Sequence, residues 1–405
     1  MTNLEQLIEE LCPNGVEYKT LGELGKFYGG LTGKSKDDFT DGNAKFITYK
    51  NVYSNPALQI DVGDRVKIVN GEKQRTLQYG DVIFTGSSET PDECGISSVV
   101  TVKTDEKLYL NSFCFFFRFD DIGIILPDFA KHLFRSNNLR YQIGKTASGV
   151  TRFNVSKKLM ENVIIPLPPL PVQSEIVRIL DNFTELTAEL TAELTARKKQ
   201  YEYYTDQLMN FGEGVKMIPL GEIGSVKMCK RILKSQTNTT GGIPFYKIGT
   251  FGKAPDAFIS EELFEEYKEK YSYPRKGDIL ISCSGTIGRT VVFDGEPSYF
   301  QDSNIVWLEH DGTIVTNKYL QYCYKKQPWQ ISTGGTIARL YNDNILKAKI
   351  PVPPIEEQER IVKILERFDV LCNNISEGLP AEIEGRRKQY EHYRDKLLTF
   401  KELSK

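Results

Sequence analysis

Ile165-Pro-Leu-Pro-Pro-Leu-Pro-Val-Gln-Ser-Glu-Ile-Val-Arg-Ile-Leu180 returns, 185 positions later, as Ile350-Pro-Val-Pro-Pro-Ile-Glu-Glu-Gln-Glu-Arg-Ile-Val-Lys-Ile-Leu365. A proline run that breaks into an Ile/Leu-rich segment, written twice, marks a tandem duplication, and other segments repeat in the same order. Leu21-Gly-Glu-Leu-Gly25 returns as Leu220-Gly-Glu-Ile-Gly224, and Gly80-Asp-Val82 as Gly277-Asp-Ile279. Arg197-Lys-Lys-Gln-Tyr-Glu-Tyr-Tyr204 returns as Arg386-Arg-Lys-Gln-Tyr-Glu-His-Tyr393. Self-similarity at this scale decides the architecture before any local reading.

Outward from the proline runs, each half is a block rich in β-branched and aromatic residues punctuated by glycine, followed by a helical block. Ile176, Leu180, Phe183, Leu190, Leu194, Tyr201, Tyr204, Leu208 and Phe211 recur at steps of three, four or seven, an apolar stripe of coiled-coil type. It predicts a helix of about 40 residues, roughly 60 Å at 1.5 Å per residue. The second stripe runs through Ile361, Leu365, Phe368, Ile375, Ile383, Tyr390, Leu397 and Phe400, with Gly378 and Pro380 predicting a kink or a fresh helix start. Two such stripes in one returning chain predict an antiparallel pair. The expected fold is α+β, a pseudo-twofold tandem repeat of two mixed α/β globules and two long antiparallel coiled-coil helices. Its expected parts are an N-terminal helical segment 1–15, a globule over 16–165, a spacer helix over 166–212, a second globule over 213–350 and a distal helix over 351–405.

The 405 residues suffice for two or three domains, and 40% hydrophobic with 26% charged residues excludes wholesale disorder. A net charge of -2 means that any nucleic-acid binding must come from local patches. The seven cysteines include no CxxC pair and the three histidines lie far apart, so reduced, mostly buried thiols and no metal site are expected. With acids at the N-terminus and no run of about 18 apolar residues, a cytosolic protein without a signal peptide or membrane span is expected.

Catalytic patterns are approached and missed. Tyr28-Gly-Gly-Leu-Thr-Gly-Lys-Ser35 has Tyr where a Walker A loop needs its first glycine, although its backbone nest and Lys34 suit a DNA phosphate. Pro91-Asp92 with Asp105-Glu-Lys107 loosely fits a nuclease triad but reads better as solvated loop. The Pro-Pro pairs at 168–169 and 353–354 follow Leu167 and Val352, so no Asn/Asp-Pro-Pro-aromatic motif of an adenine methyltransferase is present.

Duplicated globules, duplicated helices and the central Thr-Ala-Glu-Leu repeat at 187–190 and 191–194 together resemble the specificity subunit of type I DNA restriction-modification enzymes, over nearly the whole chain. The resemblance implies a non-catalytic subunit with two target recognition domains, each reading one half of a bipartite double-stranded DNA sequence. The helices would set the spacer and dock two methylation subunits, joined by restriction subunits. S-adenosylmethionine, ATP and Mg²⁺ would belong to those partners. Two rival readings stand beside it: a self-contained DNA methyltransferase or nuclease, and a structural coiled-coil adaptor with no DNA role.

Candidate DNA contacts are polar groups beside glycines at matching places in the two globules. Tyr28, Thr32, Lys34 and Lys36 follow the first Leu-Gly-Glu strand, and Lys230, Arg231 and Lys234 follow the second. Thr85, Ser87 and Ser88 lie beyond the first Gly-Asp turn, matched by Ser282, Ser284 and Thr286. Arg152 and Arg339 end the glycine-bearing loops 146–152 and 333–339, which the resemblance sets near DNA. Arg and Lys suit guanine O6/N7 or phosphate, whereas Ser and Thr are permissive. Tyr201, Tyr204, Leu208 and Tyr390 are expected to form an apolar docking face, open in the free chain.

Overall fold

The structure is a computed structural model that describes residues 3–212, 214–331, 338–374 and 376–403. Ile375 of the second stripe, Glu213 at the expected start of the second globule, and 332–337, which take in 333–337 of the second glycine loop, lie outside the described residues. The chain forms two compact units, Met1–Ala192 with Ala381–Lys405, and Glu193–Pro380.

In the first unit the strands Gly25–Gly29, Cys114–Phe119, Val82–Thr85 and Ser97–Val99 form an antiparallel sheet in that order. A second sheet, Arg65–Val66, Ala44–Ile47, Leu108–Leu110, contains a parallel pairing of the last two strands. The apolar run in Cys114–Phe119 does not alternate with polar residues because both faces of the strand are covered. Phe115, Phe117 and Phe119 enter one core, and Cys114 and Phe116 enter another.

The second unit repeats the plan. Ser225–Lys227, Ile305–Glu309, Ile279–Ser282 and Thr290–Val292 form the antiparallel sheet. Phe258–Ile259, Ile243–Tyr246 and Tyr299–Phe300 form the second sheet, again with one parallel pairing. Val306 and Leu308 face one core, Ile305 and Trp307 the other. Identical strand order and sense show the duplication directly.

The repeated motifs are mostly structural. Leu-Gly-Glu is a helical turn rather than the expected strand, Leu21–Leu24 and Leu220–Ile223, entered from the short strands Glu17–Thr20 and Met217–Pro219. A Cβ on Gly25 would collide with the Arg118 carbonyl and one on Gly224 with the Glu309 carbonyl, so the close approach of neighbouring strands requires glycine at both places. Asp81 and Asp278 each accept a backbone N–H three residues back, from Gln78 and Arg275, both at 2.7 Å. Burial pushes the Asp81 carboxyl up, and a bidentate Arg118 at 2.8 and 2.7 Å opposes that shift.

Gln173 and Gln358 anchor the helical blocks. Gln173, fully buried, accepts from Leu126 N–H at 2.8 Å and donates to the carbonyls of Ile124 and Pro168 at 2.9 and 2.8 Å. Gln358 repeats the arrangement with Thr316 N–H and the carbonyls of Ile314 and Pro353, at 3.0, 2.9 and 2.9 Å.

The first helical block is a continuous helix, Leu170–Leu208, of 39 residues. The second is two helices, Ile355–Asn373 and Leu379–Leu397, so Gly378 and Pro380 mark a fresh helix start. Half-buried Phe183, Thr187, Leu190, Leu194, Arg197, Tyr201, Thr205 and Leu208 recur at steps of four and three, a heptad-like seam with two fours in succession at Arg197, Tyr201 and Thr205. Thr205 and not Tyr204 holds the seam position. In the first unit Phe183 stacks on Tyr393, ring centroids 5.3 Å apart. In the second, Tyr201 and Tyr204 stack on Phe368 at 6.1 and 5.6 Å, and Cys372 faces the charges of Lys198 and Arg197, so these helices run antiparallel.

The chain ends meet inside the first unit. Val16 N–H donates to the Lys401 carbonyl and Leu403 N–H to the Val16 carbonyl, both at 2.9 Å. All seven cysteines are buried and unpaired. Among the described residues no helix is long and apolar enough to cross a membrane.

Candidate nucleic-acid interface

Three segments converge in each unit: the loop after the first strand of the antiparallel sheet, the turn entering its second strand, and the chain before the last short helix. Two hydrogen bonds fix the equivalence of the units. Gly86 N–H donates to the Phe113 carbonyl at 2.8 Å, as Cys283 N–H does to the Asn304 carbonyl at 2.7 Å. Val155 N–H donates to the Gly86 carbonyl at 3.0 Å, as Leu340 N–H does to the Cys283 carbonyl at 2.9 Å. Phe113 therefore corresponds to Asn304, and Asn154 to Arg339. The glycine loops had suggested Arg152 as the partner of Arg339, a slip of two residues. Loops of unequal length carry similar Gly…Arg patterns at places that the backbone ladder keeps apart.

At this equivalent place each unit is concave. In the first, a cleft of about 660 Å³ is lined by 29–34, Ser112, Phe113, Asn154 and Lys157. In the second, clefts of about 650 and 720 Å³ share Ser303 and Arg339, with Arg231, Lys234 and Asn304 on one side and Asn342 and Lys347 on the other. A further cleft of about 670 Å³ in the first unit, lined by Tyr49, Tyr53, Ser88 and Arg152, shares Ser87 and Phe113 with its neighbour.

Several expected contacts lie here. Thr32, Ser87, Ser88 and Arg152 line the clefts of the first unit, Arg152 Nε donating to Ser87 Oγ at 3.2 Å. Lys234 is exposed in the second, Arg231 pairs with Asp302 at 2.9 Å, and Arg339 donates to the Ser303 carbonyl at 2.7 Å. Ser284 donates to Asn304 Oδ1 at 2.9 Å and so holds a cleft residue in place. Thr286 and Lys36 are exposed without lining these clefts, and the Lys230 ammonium lies 5.0 Å above the Tyr271 ring.

Four expectations are corrected. Lys34 is engaged inside its own unit: its ammonium donates to Glu72 and to the Lys67 carbonyl, both at 2.6 Å, leaving the side chain 7% exposed. The hydrogen bond from Lys34, with others from Gln74 and Val69 N–H, holds Glu72 down to about 2, so this lysine is not offered to a phosphate. Tyr28 packs its ring on Phe116 at 5.3 Å beneath the Arg75 guanidinium at 4.3 Å. Thr85 and Ser282 are buried at strand ends, accepting from Ile96 N–H at 2.9 Å and Arg289 N–H at 3.0 Å. Polar residues after a Gly-Asp strand look like loop ligands, but their hydroxyls terminate the sheet.

The expected docking face is likewise mostly spent internally. Tyr390 places its hydroxyl 2.9 Å from His132 Nδ1, while His132 Nε2 lies 2.8 Å from Asp181. Tyr201 is stacked on Phe368 and burial pushes its hydroxyl up, and Leu208 packs against the core. Tyr204 keeps 39% exposure, and Tyr203, at 60%, was not anticipated. Phe113, Asn154, Lys157, Asn304 and Lys347 were also missed. Asn111-Ser-Phe113 carried a turn signal, but it sits inside an aromatic run that reads as uninterrupted strand. Among the described residues no group of three or more His, Cys, Asp or Glu is placed to hold a metal ion.

Residues 13–197 and 212–385 match the type I restriction modification DNA specificity domain. The chain belongs to this family. A relative from Haemophilus influenzae, named for the type I restriction enzyme specificity subunit, is 61% identical over 261 residues, 62% of this chain and 68% of its own length. A type I restriction enzyme specificity subunit of Escherichia coli is 38% identical over 266 residues, 61% of this chain and 65% of its own. The chain thus spans about two thirds of these curated relatives. A solved chain from work on the type I restriction-modification system superimposes with TM-score 0.62 at 19% identity, covering 96% of this chain and 98% of that one. The Mycoplasma genitalium S subunit gives 0.51 at 16% identity, covering 95% and 96%. These structures share the fold of two mixed α/β domains and the long helix between them.

Proposed function

We propose that the chain is the non-catalytic, DNA-targeting subunit of a type I restriction-modification complex, each unit reading one half of a bipartite double-stranded target. One observation carries this reading: a cleft recurs on the same backbone ladder in both units while its side chains diverge, Phe113 against Asn304 and Asn154 against Arg339. A shared scaffold with unlike linings suits two readers of unlike half-sites. The long helix sets the unspecified spacer, and the helical blocks dock two methylation subunits, which restriction subunits join. S-adenosylmethionine, ATP and Mg²⁺ are handled by those partners, in the cytoplasm. At a net charge of -2 the chain supplies discrimination, and the partners close on the duplex to supply most phosphate contacts. Mapping N6-methyladenine genome-wide with and without the chain tests the proposal. One bipartite motif is expected to vanish with it, and an unchanged methylome overturns the reading. Methylation by the purified chain alone would instead establish a self-contained enzyme.

Exchanging residues 16–165 for the matching block of a relative is expected to change one half-site and leave the other intact in the same mapping. Arg339→Ala is expected to relax one base position of the half-site read by the second unit, a loss of about 1–3 kcal/mol of discrimination. Uniform weakening on all sequences, with a salt slope smaller by about one, would show Arg339 to be a phosphate contact.

A further inference from the structure

Phe113 is the most exposed phenylalanine among the described residues, 60% accessible against 36% for the next, Phe39. Its exposure is not that of a loose loop. Its N–H donates to Asn111 Oδ1 at 2.9 Å, its carbonyl accepts from Gly86 N–H at 2.8 Å, and Asn111 is buried and tied to the Ile47 carbonyl at 3.0 Å. A Cβ on Gly86 would stand 2.7 Å from the Phe113 carbonyl oxygen, so the two backbones pass closely here. The backbone is pinned on both sides and the ring is left in solvent, where the two clefts of the first unit meet. The Arg152 guanidinium lies 5.9 Å from the ring, so a cation suited to guanine or phosphate stands beside an apolar edge. In the second unit the equivalent turn carries Asn304, whose side-chain oxygen accepts from Ser284, a hydrogen-bonding group where Phe113 has none.

We infer that Phe113 is a specificity-determining residue that reads the 5-methyl group of a thymine in the half-site of the first unit. The inference rests on the half-site reading proposed above. Phenylalanine has no hydrogen-bonding group, and the apolar feature that a base pair displays in the major groove is the thymine methyl. The Asn304 position gives the other half-site no such methyl dependence.

The test uses the chain assembled with its methylation subunits and duplexes carrying the mapped target. Each thymine of the first half-site, on either strand, is replaced in turn by deoxyuridine, which removes only the methyl group. One replacement is expected to weaken binding about fourfold, the equivalent of one unburied methyl. Phe113→Ala should bind thymine and deoxyuridine duplexes alike, whereas Phe113→Leu, which keeps an apolar contact, should retain part of the preference. Deoxyuridine tolerated everywhere by the parent chain, a half-site without thymine, or a preference that survives Phe113→Ala would each overturn the inference while leaving half-site reading intact. Loss of Phe113 that weakens every duplex equally would show base-independent stacking instead, and also overturns it. Absence of any bipartite motif in the parent methylome would remove the half-site reading and this inference together.

Discussion

Gln173→Ala is expected to destabilise the first unit, and Gln358→Ala the second, by about 3–5 kcal/mol each, a large part of a domain's usual 5–15 kcal/mol. Truncating Gln173 strands one N–H, on Leu126, and two carbonyls, on Ile124 and Pro168, where the side chain is fully buried. Each stranded group costs about 1–3 kcal/mol, because water cannot replace the lost partner. The deletion also leaves a cavity at the point where the helix meets its globule. Glutamate does not rescue: it keeps the acceptor for Leu126 N–H but sets a carboxylate against two carbonyl oxygens. Hydrogen exchange reads the effect unit by unit, with faster exchange around 126–133 for Gln173→Ala and around 316–325 for Gln358→Ala. Less than about 1 kcal/mol of local change in either would show that the side chain is dispensable and that the repeated Gln has another role.

Deleting Thr187–Leu190, one Thr-Ala-Glu-Leu unit, is expected to shorten the unspecified spacer of the DNA target by one or two base pairs while both half-sites keep their sequence. Four residues remove about 6 Å of helix and turn it by about 40°. Phe183 with Tyr393 in the first unit and Tyr201 with Phe368 in the second each keep both partners, since the deleted residues lie between them in sequence. Leu194 moves into the place of Leu190. The break between the two distal helices, Ile355–Asn373 and Leu379–Leu397, is where the returning chain takes up the change. Base pairs rise about 3.4 Å each, hence one or two pairs. Methylation mapping of the deletion variant decides it, and an unchanged spacer at full activity would show that the helix is not the ruler.

What the sequence determined by itself is whatever depends on period and repetition. The duplication, the length of the helix Leu170–Leu208, the interruption of the second helical block at Gly378 and Pro380 and the strand character of Cys114–Phe119 follow from spacing, proline and glycine placement, and runs of β-formers, all local in the chain. The family was legible too, because Pro-Pro entries, heptad stripes and unlike globules recur in a fixed order. The tertiary structure decided which polar residue of each motif faces a cleft and which closes the fold. Lys34 is withdrawn by Glu72, 38 positions away; Gln173 is held by Leu126, 47 away; and Phe113 is exposed because Gly86 and Asn111 pin its backbone. Side-chain availability depends on partners that only folding brings near, so a polar residue beside a glycine carries no mark of its role. The match of Arg339 to Asn154 rather than Arg152 has the same cause: register is set by hydrogen bonds to a third segment, Cys283 or Gly86, that the loop sequences do not contain.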